Sequence, residues 1–133
     1  MKNLNIIAAA LASTVALASP VFAEWTEVKT DVFGNTTYIE FDTVEEKNGY
    51  VYYWELLDRL SPDSAGDLSY KSLVEVECGT PRKRQSLSEI WYAQPMASGR
   101  PSGMHNLPGG RVTLSPDSVF EIVTNAVCDY AGK

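Results

Sequence analysis

Apolar and polar residues alternate with a period of two along most of this chain, and the period becomes helical only near the C-terminus. Residues 25–30 read as a short first strand, Gly34-Asn35 as a turn, and residues 36–41 as a β-rich stretch. Asn48-Gly49 precedes a strongly β-prone run and is a hairpin signal, because both residues tolerate positive φ. That run, residues 50–60, is expected to be the longest strand. It places Tyr52, Trp54, Leu56 and Leu60 on one face and Val51, Tyr53 and Leu57 on the other. Both faces are largely apolar, as suits a central strand covered on both sides. Residues 70–78 alternate cleanly, with Tyr70, Val74, Val76 and Cys78 inward and Lys71, Glu75 and Glu77 outward. A further strand is expected over about 85–93.

Turn chemistry punctuates these runs. Residues 61–67 (SPDSAGD) and Gly79-Thr80-Pro81 read as connections, and 94–110 (QPMASGRPSGMHNLPGG) is dense enough in proline and glycine to predict a long surface loop without regular structure. A short extended piece, 111–114, leads to a helix with Ser115 as N-cap, Pro116 at its first position and Asp117 against its positive end. Val119, Ile122, Val123, Ala126, Val127 and Tyr130 form its core-facing stripe. Cys128 misses that stripe, lying about 100° round from Val127.

The first 23 residues have a different pattern. Lys2, the apolar run 6–18 and the small residues of Val21-Phe22-Ala23 make a secretory signal peptide cleaved after Ala23. The apolar run is shorter than the roughly 20 residues that span a bilayer. No cysteine follows it, so no lipid anchor is expected. The 110 residues that remain of 133 once 23 are removed, 24–133, make one domain. Loss of Lys2 takes the net charge from −6 to −7. An acidic chain without a dense basic face disfavours nucleic acid and anionic lipid as partners. No later segment is apolar enough for membrane insertion, so the processed protein is expected to be soluble. Cys78 and Cys128 are the only cysteines, and in an oxidising compartment they read as one disulfide.

A set of ordered landmarks resembles the surface-adhesin protein E domain of Gram-negative bacteria. They are Trp25, Tyr38-Ile39-Glu40, Asp42-Thr43-Val44, Lys47-Asn48-Gly49 and then Trp54 and Asp58. Residues 69–73 (SYKSL) leading to Cys78, 94–99 (QPMASG), and Leu114, Pro116 and Ser118 ahead of Cys128 complete the set. The likeness spans nearly all of 24–133. It departs at Glu40, where the family usually has Asp, at Arg111, where Trp is expected, and in lacking a lipid-anchor cysteine. The resemblance implies an α+β fold: a curved antiparallel sheet of about six strands against one C-terminal α-helix, tied by Cys78–Cys128. It implies attachment to host matrix and serum proteins such as vitronectin and laminin, although other members are short periplasmic or lipoprotein domains.

Candidate chemistry is sparse. His105, the one histidine, lies in the 94–110 stretch, so a Cys–His or Ser–His nucleophile would need that stretch pinned to a strand; a solvated loop histidine is the plainer reading. One histidine and two bridged cysteines cannot supply the four ligands of a structural zinc site, so no metal or other cofactor is expected. Asp63 and Asp67 fit turn chemistry better than calcium. Glu75 and Glu77 would have α-carbons ~6.7 Å apart, within reach of an inverting-glycosidase pair, but they read as a solvated strand face.

Tyr50, Tyr52, Tyr53, Trp54, Trp91 and Tyr92 are either core packing or a platform for a protein or a glycan. Arg82-Lys83-Arg84, at an expected hairpin tip, is either a solubilising turn or a contact for acidic partners. Arg82, Lys83, Arg84, Trp91 and Tyr92 are therefore the candidate partner-contact residues. The chain reads as a non-enzymatic binding module of the periplasm or cell surface, recognising extracellular-matrix-type, serum or envelope proteins. The alternative is a periplasmic accessory protein that associates through a sheet edge or as a homodimer, and a small hydrolase ranks third.

Overall fold

The computed structural model describes residues 23–107 and 109–133. Apart from Ala23, the expected signal peptide lies outside the described residues. The order of elements is β1 (Thr26–Thr30), β2 (Thr36–Lys47), β3 (Tyr50–Asp58), β4 (Ser69–Glu77), β5 (Lys83–Tyr92), a 3₁₀ turn (Pro95–Ala97), β6 (Pro101–Asn106), β7 (Val112–Thr113) and α1 (Val119–Tyr130). The strands form one antiparallel sheet in the order β1-β2-β3-β4-β5-β6, and β7 also pairs with β5. Each long strand thus lies beside its sequence neighbour, which short hairpin connections allow. Asn48 (φ 53°) and Gly49 (φ 83°) make the β2–β3 turn, as the pair predicts.

The longest strand is β2, with 12 residues, and not β3, with 9. Its pattern is broken by a bulge between Glu40 and Glu45. There the Thr43 hydroxyl donates to the Glu40 carbonyl at 2.6 Å and accepts from the Trp54 amide at 3.0 Å. A side chain replaces a missing rung, so the strand runs on. Leu60 lies beyond β3 and is 72% exposed.

Residues 94–110 do not form an unstructured loop. Pro95 opens the 3₁₀ turn and Pro101 opens β6, which pairs with β5 from Ser88↔Asn106 to Tyr92↔Pro101. Proline is tolerated at the first residue of an edge strand, where the lost N–H can face away from the neighbour.

The helix begins later than the serine–proline pair suggests. Asp117 has φ 61°, so Ser115 and Pro116 belong to a turn closed by the Ser118 amide on the Ser115 carbonyl. Ser118 is the cap: its Oγ accepts from the Glu121 amide at 3.1 Å, and Glu121 Oε1 accepts from the Asp117 amide at 3.2 Å. The buried helix residues are Val123, Thr124, Val127 and Cys128. The inward stripe is therefore rotated towards Cys128, and Tyr130 is left 58% exposed with its ring 5.0 Å from that of Phe41. This rotation removes the geometric difficulty, and Cys78 and Cys128 form the disulfide, their α-carbons 5.8 Å apart.

The core joins Ile39, Val51, Tyr53, Val74 and Val76 of the sheet to Val123, Val127 and Cys128 of α1. α1 packs chiefly on β1, β2 and β3; it reaches β4 at Val74 and Val76 and β5 at Arg84, and its contacts with the rest of the β4–β6 half are few. Among the described residues no helix is long and apolar enough to cross a membrane.

Candidate functional site

Register decides what the less covered half-face displays. Two adjacent cross-strand rows point to the helix side. One runs Leu57–Tyr70–Trp91–Gly103, and the other Glu55–Ser72–Glu89–His105. A sheet face beside a core is normally apolar, so four polar residues in one row are informative.

Glu55 is fully occupied. Arg84 Nη2 donates to Glu55 Oε1 at 2.6 Å, and the Tyr53 hydroxyl donates to Oε2 at 2.7 Å. The three residues are buried, Arg84 being only 3% exposed, and the Phe120 ring lies 4.3 Å from the Arg84 guanidinium carbon. Burial would lower the Arg84 pKa, but Glu55, Tyr53 and Tyr70 together outweigh it and hold the cation charged. Burial raises the Tyr53 hydroxyl well above its usual value.

The rest of the face is less complete. The Tyr70 and Trp91 rings are stacked, with centroids 4.4 Å apart and planes tilted by 31°. The Arg59 guanidinium carbon lies 5.8 Å from the Tyr70 centroid and 5.9 Å from that of Trp91. Burial pushes the Tyr70 hydroxyl up to about 12. Burial also raises the Glu89 carboxyl, opposed by the Trp91 indole and the His105 charge. The indole nitrogen is nevertheless not aligned for a hydrogen bond: Trp91 Nε1, Arg59 Nε and Ser72 Oγ are all buried without a partner. Three hollows border these rows. One of about 400 Å³ lies among Asp63, Asp67, Trp91, Ser102 and His105. The second, of about 150 Å³, is lined by Asp31, Glu55, Tyr70 and Phe120. Glu89, Arg84 and Phe120 line the third, of about 340 Å³.

This is a groove walled by Phe120 on one side and β6 on the other. Ser72 and His105 are separated by the whole of β5, both cysteines are bridged, and Ser72 Oγ, although Glu55 and Glu89 flank it in register, hydrogen-bonds to neither. Among the described residues no three of His, Cys, Asp or Glu are grouped to hold a metal.

The sequence profile of the surface-adhesin protein E family matches residues 25–129. This chain belongs to that family. No curated protein matches it in sequence. Among solved structures, crystal form II of Haemophilus influenzae protein E shares the fold with a TM-score of 0.61 at 14% identity, covering 85% of this chain and 93% of that one. A second structure of Haemophilus influenzae protein E gives 0.59 at 13%, covering 85% and 90%.

Within this adhesin-family domain the Arg82-Lys83-Arg84 run is not one basic patch. Arg82 Nη1 donates to Asn125 Oδ1 on α1 at 2.7 Å, Arg84 is buried on Glu55, and Lys83, half-buried, is alone in pointing to the opposite face. Alternation along β5 is the cause. The aromatic cluster is divided too. Tyr53 and Trp91 face α1, whereas Tyr50, Tyr52, Trp54 and Tyr92 face away, Tyr92 only 5% exposed. On that far side Glu75 is not solvated: it accepts from Tyr52, Gln85 and Arg111. Burial would raise its pKa, but these donors lower it. Arg111 also caps the Tyr50 ring at 4.1 Å and Lys71 the Trp54 ring at 5.4 Å, so the far side supplies its own partners. Sequence reading missed Glu55, Arg59, Ser72 and Glu89; a Glu and a Ser at inward strand positions 55 and 72 were the available signal.

Proposed function

We propose that residues 24–133 are an exported, non-enzymatic module that binds another protein of the host matrix, serum or bacterial envelope, and that the groove beside α1 is the contact surface. Membership of a surface-adhesin family supports a protein-binding role. The observation that carries the choice of surface is the stacked Tyr70–Trp91 pair, set with unpartnered polar atoms where α1 makes few contacts with the sheet. Aromatic residues in such settings dominate interface energetics. Of the five candidate contact residues, Trp91 is the central one here, with Arg84 holding Glu55 in place beneath it; Arg82 and Lys83 lie off the groove.

The test is a pull-down from matrix proteins and from native envelope extract with the mature domain as bait, repeated with Trp91→Ala. Capture that falls at least tenfold in a folded Trp91→Ala domain supports the groove. Undiminished capture assigns binding to another surface. Protease shaving of intact cells then separates the cell surface from the periplasm.

A further inference from the structure

We propose that the groove receives an arginine side chain of the partner protein, carried on an extended segment, and that Arg59 occupies the same seat in the free domain. This rests on the groove being the protein-binding surface.

A guanidinium is flat, so it can lie against an aromatic face while its five in-plane N–H groups seek acceptors. Arg59 does the first of these and not fully the second. It lies at nearly equal distances, 5.8 and 5.9 Å, from the two stacked rings, yet its Nε is buried without an acceptor. Its backbone is fixed at the end of β3, where the Arg59 amide donates to the Leu68 carbonyl at 2.8 Å. From that anchor the side chain reaches the rings from one side of the sheet end, and in that pose its Nε finds no acceptor. A guanidinium arriving from outside is not tied to that anchor.

The acceptor it would meet is Glu89. This carboxylate shares the helix side of β5 with Trp91, one inward position away. The Trp91 indole and the His105 charge both act on it, but among the described residues it holds no salt bridge, in contrast to Glu55, which holds both Arg84 and Tyr53. Beside it Ser72 is 1% exposed, lies between Glu55 and Glu89 in register, and keeps an unpartnered hydroxyl. Trp91 Nε1 is a donor in the same condition. An extended peptide brings both kinds of partner: a cation for the carboxylate and main-chain carbonyls for the hydroxyl and the indole.

Charge points the same way. The flanking hollows bring Asp31, Asp63 and Asp67 to the rim, the other buried cation, Arg84, is already neutralised, and the chain as a whole carries −6. An anionic segment would meet Asp31, Asp63 and Asp67 at the rim, with Arg59 and His105 as the cations opposing them there. Arginine is favoured over lysine because the seat lies beside two aromatic rings, and a compact, strongly hydrated ammonium gains less there.

The experiment uses the mature domain and three probes, octa-arginine, octa-lysine and octa-glutamate, followed by the indole N–H resonance of Trp91 and by calorimetry. Arg59→Ala, checked for an unchanged fold by circular dichroism, should bind octa-arginine at least fivefold more tightly than the parent, because the seat is vacant. Arg59→Lys should gain in the same direction. Glu89→Gln placed on Arg59→Ala should lose at least tenfold. Octa-lysine should gain less than octa-arginine, and octa-glutamate should not bind.

The proposal is overturned if Arg59→Ala leaves octa-arginine binding unchanged or weaker, or if both cationic probes gain equally, which would mean unspecific attraction. A captured partner that needs Trp91 but binds the Arg59→Ala domain no better would keep the protein-binding reading and reject the arginine seat.

Discussion

Arg84 is the last residue of an Arg-Lys-Arg run, yet it is only 3% exposed and saturated by Glu55 and Tyr53. Removing one member of such a pair strands a charge, so Arg84→Met should cost about 3–5 kcal/mol. Urea unfolding should show that loss, and the double replacement Glu55→Gln with Arg84→Met should restore most of it. Glu89 presents the opposite case. Its pKa is raised in the fold, so its ionised form opposes folding at pH above the ordinary glutamate value of about 4.3. Glu89→Gln should therefore melt higher than the parent at pH 7, and the gap should close as the buffer is acidified through the raised value. The same change weakens the arginine seat, so function and stability should part at this residue. Sequence reading placed Trp91 among the contacts but took Arg84 for surface charge. Composition shows how many cations a run holds, whereas strand alternation decides which way each one points.

At the scale of elements, the strands follow from alternation and from Asn48-Gly49, while two of the differences between expectation and structure concern proline. Pro101 was read as a breaker because prolines exclude interior strands, but it opens an edge strand that has a neighbour on one side only. Pro116 was placed inside the helix because it suits a first turn, but the positive φ of Asp117 shifts the start to Val119. The Ser118 cap, with Glu121 accepting from the preceding Asp117 amide, outweighs the serine–proline pair. Ser118→Ala should thus lose about 1 kcal/mol in thermal unfolding, and Ser115→Ala markedly less. Equal losses would return the cap to Ser115.

For the molecule as a whole, the class of fold and the cysteine pair were legible, because two cysteines in an exported chain leave one pairing. The groove was not, since it arises only when β3 to β6 are laid in register beside a helix that packs chiefly on β1, β2 and β3. The disulfide closes a separation of 50 residues, which in the chain-entropy model stabilises by about 4 kcal/mol. The double variant Cys78→Ser with Cys128→Ser should lose a comparable amount in denaturant titration. Alkylation of the unreduced mature domain should label no thiol.

The bridge grips α1 in its final turn, at Cys128, and nothing covalent holds the opposite end. There Phe120, 52% exposed, forms the wall of the groove above Arg84. A rod riveted at one tip and latched at the other opens from the latch. In hydrogen–deuterium exchange the amides of residues 122–124 should therefore trade protons sooner than those of 126–128, and loosening the latch with Ser118→Ala should widen that interval. The side of the cleft that a visitor must push past would then be the one the chain leaves unfastened.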